Sequence, residues 1–305
     1  MVPGTAPTDR VPMADADAVR LSPAVLHQWP LPRLGGDKHS RGTVLIVGGA
    51  RQTPGSVLLA AEAALRLGAG KVQIATTTTT AAQLAVALPE GYVDGLPESA
   101  GGDLLPSAAS RILELASDAD AVLLGPGMSD PLASSQLLAE VVPHLRTTLV
   151  LDALATAYLT PDPGRVAHLS GRALLTPNVS ELAATLQVEK EDVRTDPAAA
   201  ATMLARKARA TVLSGDETSY VATPDGDRWA TDAGPSGLAT AGSGDVKAGA
   251  IVALCARGAS VEQAAAWGAH CHGVAGERLS MRSPGFLARD VVRELPAALA
   301  AIESG

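Results

Sequence analysis

Residues 234–249 read GPSGLATAGSGDVKAG and contain five glycines, four of them ahead of an apolar segment that runs from Val246 to Cys255. This pattern predicts a glycine-rich loop leading into a helix, because glycine allows positive φ angles and lets a ligand approach the backbone closely. The free N–H groups and the dipole at a helix start favour an anion such as phosphate. Asp245 falls at the predicted helix start, so its carboxylate either caps the helix or serves a bound ligand, by taking a proton or holding a metal.

Strands and helices alternate along most of the chain before this loop. Residues 44–47 form a short β-branched run closed by glycines, which predicts a buried strand. A predicted helix at 56–67 and a strand at 71–75 complete a β-α-β unit, which favours a parallel sheet. Further strands are predicted at 120–124, 147–151, 173–175 and 210–213, and a hairpin at 219–230, whereas the threonine run 76–80 is predicted to be a loop. The fold class is therefore α/β, with three α/β/α layers and a mainly parallel central sheet flanked by helices.

The composition narrows the class of protein. Only 2% of the 305 residues are aromatic, so the core must consist mostly of aliphatic side chains. The net charge is −8 and no run of lysines or arginines occurs, so we expect neither a nucleic-acid partner nor a membrane surface. No secretory signal is apparent, which favours a cytoplasmic protein. We expect residues 1–20 to be a disordered tail and residues 21–305 to form a single domain.

Two sites with carboxylates allow alternative interpretations. Asp152 follows a predicted strand, so it lies either at a ligand site on the carboxyl edge of the sheet or at the start of the next helix as a cap. Asn178 and Glu181 are spaced to share one helix face, where they can order a hydrated Mg²⁺. The same spacing is also typical of an ordinary capping box.

The motifs in their order resemble one family. The segments GPSGLATAGSGDVKAG, KHSRGTVLIVGGARQTPG, GAGKVQIAT, ALPEGYV, LLGPGM, LLTPN and WGAHCHGVAGE are similar to those of the ADP- or ATP-dependent NAD(P)H-hydrate dehydratases. These enzymes belong to the ribokinase-like superfamily, and the similarity extends from about residue 21 to residue 300. The resemblance implies removal of water from hydrated NADH or NADPH with ADP or ATP as co-substrate and Mg²⁺ as cofactor. It also implies a homo-oligomer.

The resemblance further implies roles for individual residues. Asp245 would deprotonate the hydroxyl of the hydrated ring, and the N–H groups of Gly242, Ser243 and Gly244 would hold the transferring phosphate. The adenine nucleotide would contact the segment Ser214, Gly215, Asp216, Glu217 and Thr218. The hydrated dinucleotide would contact Pro54, Gly55, Ser56, Val57, Gly125, Gly127, Asn178 and Asp245. Asn178 and Glu181 would order Mg²⁺ through water.

Three departures from the family pattern keep other functions open. TPNVSE replaces the frequent Thr-Pro-His-Pro-Gly-Glu, Leu154 replaces an aspartate, and Ser214 replaces a lysine that would face the phosphates. The Asn178–Glu181 pair also suits a ribokinase-like kinase of a small hydroxylated metabolite. The missing lysine at position 214 also suits a protein that binds nucleotides without catalysis.

Overall fold

A ten-stranded sheet forms the centre of the computed structural model, which describes residues 18–33, 36–234 and 236–304. Strand β9 is antiparallel to both of its neighbours, and the remaining pairs are parallel. The strand order from edge to edge is β1 (Val19–Arg20), β10 (Arg228–Thr231), β9 (Ser219–Ala222), β8 (Thr211–Gly215), β7 (Ala173–Thr176), β6 (Thr148–Asp152), β5 (Ala121–Leu124), β2 (Thr43–Val47), β3 (Lys71–Thr77) and β4 (Tyr92–Leu96).

Helices cover both faces of this sheet. They are α1 (Pro23–His27), α2 (Pro54–Arg66), α3 (Thr78–Ala87), α4 (Ala109–Ser117), α5 (Pro131–Val141), α6 (Val179–Leu186), α7 (Lys190–Thr195), α8 (Pro197–Ala208), α9 (Ser243–Ala256), α10 (Val261–Ser280) and α11 (Ala288–Ser304). Strand β2 is buried throughout, and its alternate side chains point to opposite faces of the sheet. It therefore packs against the helices on both faces. Val44 and Ile46 pack with α2, α9, α10 and α11, whereas Leu45 and Val47 pack with α4, α5, α6 and α8. The predicted three-layer α/β/α fold is confirmed.

The threonine run differs from its predicted loop. Strand β3 continues to Thr77, and α3 begins at Thr78. The side chain of Thr76 is fully buried, and its hydroxyl donates a hydrogen bond of 2.9 Å to the carbonyl of Gly49. Thr77 and Thr80 share a second buried hydroxyl contact of 2.9 Å. The prediction of a loop was wrong because it rested on the polar composition of this run. Threonine is β-branched and suits a strand, and here its buried hydroxyls have hydrogen-bond partners.

The end of the predicted tail is also ordered. Val19 and Arg20 form β1 and pair in parallel with β10, while residues 1–17 lie outside the described part of the chain. The Ser22 hydroxyl caps the next helix by accepting from the N–H of Val25, and Pro23 follows at the first position of α1. Among the described residues, no helix is both long and apolar enough to span a bilayer.

Candidate active site

The predicted site residues gather at the carboxyl edge of the parallel strands. Asp152 ends β6, Gly125 follows β5, Asn178 follows β7, and Gly215 ends β8. Parallel strands direct their carboxyl ends to the same edge, which is where open α/β sheets bind ligands. Helix α9 packs against β5 and β6, and Ser243 and Gly244 in its first turn share a cleft with the loop after β8.

The first turn of α9 offers free backbone donors. Gly242 is the N-cap residue with a φ of 86°, and within the described residues no side chain caps the helix. A Cβ atom added at Gly244 would meet no heavy atom within 4 Å, so the space beside this residue is open. The glycine loop therefore leaves a cradle of the kind that binds phosphate at a helix start.

Asp245 does not cap α9, so the capping alternative for this residue is wrong. Its carboxylate instead lies beside Ser56 in the first turn of α2. Burial raises the pKa of Asp245, and the neighbouring Ser56 side chain opposes this shift. A partly desolvated carboxylate with a raised pKa is a better proton acceptor than an exposed one.

The loop after β5 packs closely against the residues around Asp245. Gly125 has a φ of 128°, and a Cβ atom there would lie 1.9 Å from the carbonyl oxygen of Asp152. A Cβ atom at Gly127 would lie 3.0 Å from the Cβ of Ser56. Pro54, Gly55 and Val57 share the first turn of α2 with Ser56. Of the eight residues predicted to face the hydrated dinucleotide, these six therefore lie near Asp245, which is the seventh.

Asp152 does not cap the helical turn that follows it, so this alternative is also wrong. Its carboxylate accepts a hydrogen bond of 2.6 Å from the hydroxyl of Thr176. Burial raises the pKa of Asp152 to about 7, the hydrogen bond from Thr176 lowers it, and the charges of Asp245 and Glu181 raise it further. This cluster of carboxylates can therefore hold a proton near neutral pH.

Asn178 and Glu181 form the capping box. The Asn178 side chain accepts from the N–H groups of Ser180 and Glu181, at 2.8 and 3.0 Å. Glu181 accepts in return from the N–H of Asn178 at 2.9 Å. Burial raises the pKa of Glu181, while the Asn178 contacts and the charge of Lys247 lower it. No cluster of three or more His, Cys, Asp or Glu side chains suited to a metal occurs in the described part of the chain.

A cleft of about 890 Å³ opens on the other side of the first turn of α9. This volume suits a small-molecule ligand. The predicted nucleotide residues Gly215, Asp216, Glu217, Thr218, Ser243 and Gly244 line the cleft, together with Ser219, Asp232, Ala233, Gly234, Leu238, Ala239, Thr240, Lys247, Ala269 and His272. Ser214 and Gly242 adjoin these residues without lining the cleft, and the buried hydroxyl of Ser214 has no hydrogen-bond partner among the residues that the structure describes.

Two functional side chains were not predicted from the sequence. Lys247 lines the cleft from the second turn of α9, and a lysine inside an otherwise apolar helix segment was the signal for it. His272 shares a hydrogen bond of 3.0 Å with the hydroxyl of Ser243. Burial and the charge of Lys247 lower the pKa of His272 to about 3, so this imidazole is neutral and fixes the Ser243 side chain.

The fold defines the class of protein, which has a ribokinase-like α/β fold, and the cleft beside α9 has the volume of a small-molecule site. A ribokinase-like protein from Enterococcus faecalis superposes with a TM-score of 0.75 at 20% identity, covering 95% of this chain and 98% of that one. The ADP/ATP-dependent NAD(P)H-hydrate dehydratase from Bacillus subtilis, co-crystallised with ATP and Mg²⁺, superposes with a TM-score of 0.76 at 23% identity, covering 94% and 99%.

Sequence similarity identifies the family within this class. The NAD(P)H-hydrate dehydratase family model matches residues 44–297. The ADP-dependent (S)-NAD(P)H-hydrate dehydratase of Xanthomonas campestris is 42% identical over 92% of this chain and 96% of that protein. A bifunctional NAD(P)H-hydrate repair enzyme of Moorella thermoacetica is 32% identical over 99% of this chain, which spans 60% of that enzyme. The chain belongs to the NAD(P)H-hydrate dehydratase family.

Proposed function

We propose that this chain is an ADP-dependent (S)-NAD(P)H-hydrate dehydratase, which restores NADH or NADPH by removing the water added to the nicotinamide ring. One observation carries the proposal. The partly buried Asp245 carboxylate, beside Ser56, lies in the first turn of a helix whose uncapped start borders a cleft of about 890 Å³. A base for a hydroxyl and a cradle for a phosphate are thus adjacent, as a phosphoryl transfer requires.

The first step transfers a phosphoryl group to the ring hydroxyl. Asp245 accepts the hydroxyl proton while the ring oxygen forms a bond to the terminal phosphorus of the nucleotide. The bond from this phosphorus to its bridging oxygen breaks, and AMP leaves when ADP is the donor. The N–H groups of Gly242, Ser243 and Gly244 stabilise the charge on the transferring group.

The second step eliminates phosphate. The ring nitrogen supports cleavage of the C–O bond, phosphate leaves with the bonding electrons, and the adjacent ring carbon loses a proton. The net reaction converts the hydrated dinucleotide and ADP into the reduced dinucleotide, AMP and phosphate. The close packing of Gly127 against Ser56 at the start of α2, and of Gly125 against Asp152, supports a fixed position for the ring beside Asp245.

The segment 214–218 is proposed to hold the adenine nucleotide, since most of it lines the cleft. Mg²⁺ supplies positive charge to the phosphates when bound, and it retains several of its waters in such sites. Glu181 and Asp152 provide carboxylate oxygens that fit a hydrated Mg²⁺, with Asn178 positioning Glu181 through the capping box. A homo-oligomeric assembly and a cytoplasmic location stay predictions.

The test mixes the purified protein with hydrated NADPH, Mg²⁺ and either ADP or ATP. We expect absorbance at 340 nm to rise in the presence of nucleotide, with one AMP and one phosphate formed from ADP per NADPH. A stable phosphorylated product without the rise would instead support the small-metabolite kinase. A flat trace together with ADP binding in the same preparation would support a protein that binds nucleotides without catalysis.

A further inference from the structure

The side chains that line the nucleotide cleft include more carboxylates than cations, although the proposed ligand carries negatively charged phosphates. Asp216, Glu217 and Asp232 contribute three carboxylates to its lining, of which Asp232 forms an ion pair of 2.9 Å with Arg20. Lys247 is the single lysine or arginine among the described residues that line it. His272 also lines the cleft, but its pKa of about 3 leaves it neutral. Positive charge for a phosphate therefore has one source among these side chains.

Lys247 has no partner of its own in the described part of the chain. It is partly buried and takes part in no hydrogen bond or ion pair there. Burial lowers the pKa of Lys247, whereas Asp152 and Glu181 act on it through their charges and raise it. A cation removed from water without a hydrogen-bonded anion is costly, so this ammonium group is suited to an anion brought by a ligand.

The position of Lys247 matches the position of the phosphate cradle. It stands two residues after Asp245 on α9, and it lines the cleft together with Ser243 and Gly244 at the start of that helix. Gly215 at the end of β8 lines the same cleft from the opposite side. The neighbouring Ser214 has only a buried hydroxyl where the family resemblance leads us to expect a lysine facing the phosphates.

We propose that Lys247 binds the phosphates of the nucleoside diphosphate or triphosphate and supplies the cation that position 214 lacks. The proposal rests on the proposed function, because it assigns a residue to the same nucleotide site. Lysine acts as a point charge toward phosphate and does not need the fixed geometry of an arginine. The charges of Asp152 and Glu181 act on Lys247 without a hydrogen bond to it in the described residues, so its ammonium group is available to pair with phosphate.

The experiment measures binding of ADP and of adenosine by calorimetry, in Mg²⁺, to the wild type, Lys247→Met and Lys190→Met. Lys190 is an exposed lysine in the first turn of α7 and serves as the matched control. We expect Lys247→Met to weaken ADP binding about 10- to 100-fold, as the loss of a charge-assisted hydrogen bond does. Adenosine binding should change less than about threefold, because adenosine has no phosphate, and Lys190→Met should bind both ligands like the wild type.

Two results would overturn the proposal. Unchanged ADP affinity in Lys247→Met would show that the phosphates do not contact this lysine. An equal loss for ADP and adenosine would show that Lys247 only maintains the shape of the cleft. Lys247→Gln replaces Lys247→Met if the latter does not fold, with the same expected ratio. Failure of the wild type itself to bind ADP would contradict the proposed function, so the two failures are distinguishable.

Discussion

The two sides of the first turn of α9 differ in how they are built. On the Asp245 side, side chains and backbone are tied together by Ser56, by the bond from Thr176 to Asp152 and by the capping box of Asn178. On the cleft side, Asp216 and Glu217 are exposed, and the space beside Gly244 is open. The difference suggests that the base and the ring site are preformed, whereas the nucleotide side is open to exchange of its ligand.

Alanine substitution of one glycine on each side of α9 tests this comparison, and it has the largest expected effect on stability. In Gly125→Ala the new Cβ would lie 1.9 Å from the carbonyl of Asp152 at a φ of 128°, so the loop must move. We expect a loss of about 2 kcal/mol or more in the free energy of unfolding, as backbone strain and overpacking cause. In Gly244→Ala nothing lies within 4 Å, so the stability should be unchanged or higher while ADP binding weakens.

Urea unfolding and ADP calorimetry on both glycine variants check these expectations. Equal stability losses would contradict the contrast between a packed side and an open side. Undiminished ADP binding by Gly244→Ala would contradict the placement of phosphate at the start of α9.

Asp152→Asn tests how much the buried charge of Asp152, on the Asp245 side of α9, reduces the stability of the folded protein. Burial raises the pKa of Asp152 from 3.8 to about 7, so the folded protein binds a proton that the unfolded chain releases between these values. The wild type should therefore lose stability from this group as the pH rises from about 4 to about 7, at about 1.4 kcal/mol for each unit of pKa shift.

Asparagine does not titrate, so Asp152→Asn should be more stable than the wild type at pH 8, by an amount that shrinks toward pH 4. Urea unfolding at both pH values measures the difference. A variant less stable than the wild type at pH 8 would show that the negative charge of Asp152 stabilises the empty site.

The capping box on the packed side gives the smallest expected change. Asn178→Ala removes the side chain that accepts from Ser180 and Glu181, which should cost about 1 kcal/mol of stability. Asn178→Asp keeps an acceptor at the N-cap and should retain most of that stability. Thermal unfolding of the two variants at equal pH distinguishes them, and an equal loss in both would show that the cap contributes little.

The sequence revealed the layers of the fold more fully than the site. Strands such as β2 and β5 are short aliphatic runs closed by glycines, so local pattern alone identified them. Strand β4 was missed because Asp94 and Gly95 interrupt its apolar pattern at the edge of the sheet, where Arg111 pairs with Asp94 at 2.6 Å. A strand at the edge of a sheet needs less apolar surface than a central one. The charged residue of β4, Asp94, is paired with Arg111 on α4.

The site was predictable only where its residues are local. The glycine loop and Asp245 form one continuous motif, and the spacing of Asn178 and Glu181 indicated a helix start. The proximity of Lys247 to Asp152 and Glu181 depends on three separate elements meeting at the edge of the sheet. The distance between residues on separate elements cannot be derived from the sequence pattern. The sequence therefore showed Lys247 only as a single charge in an apolar helix.

The most direct test of the account compares Asp245→Asn with Asp192→Asn, which changes an exposed aspartate in the first turn of α7. Turnover of hydrated NADPH with ADP is followed at 340 nm, and ADP binding is measured on the same samples. We expect Asp245→Asn to lose about 10²- to 10⁴-fold in kcat, as loss of a general base does, with ADP affinity nearly unchanged and Asp192→Asn fully active. Turnover by Asp245→Asn equal to that of the wild type would contradict the role of Asp245 as the base.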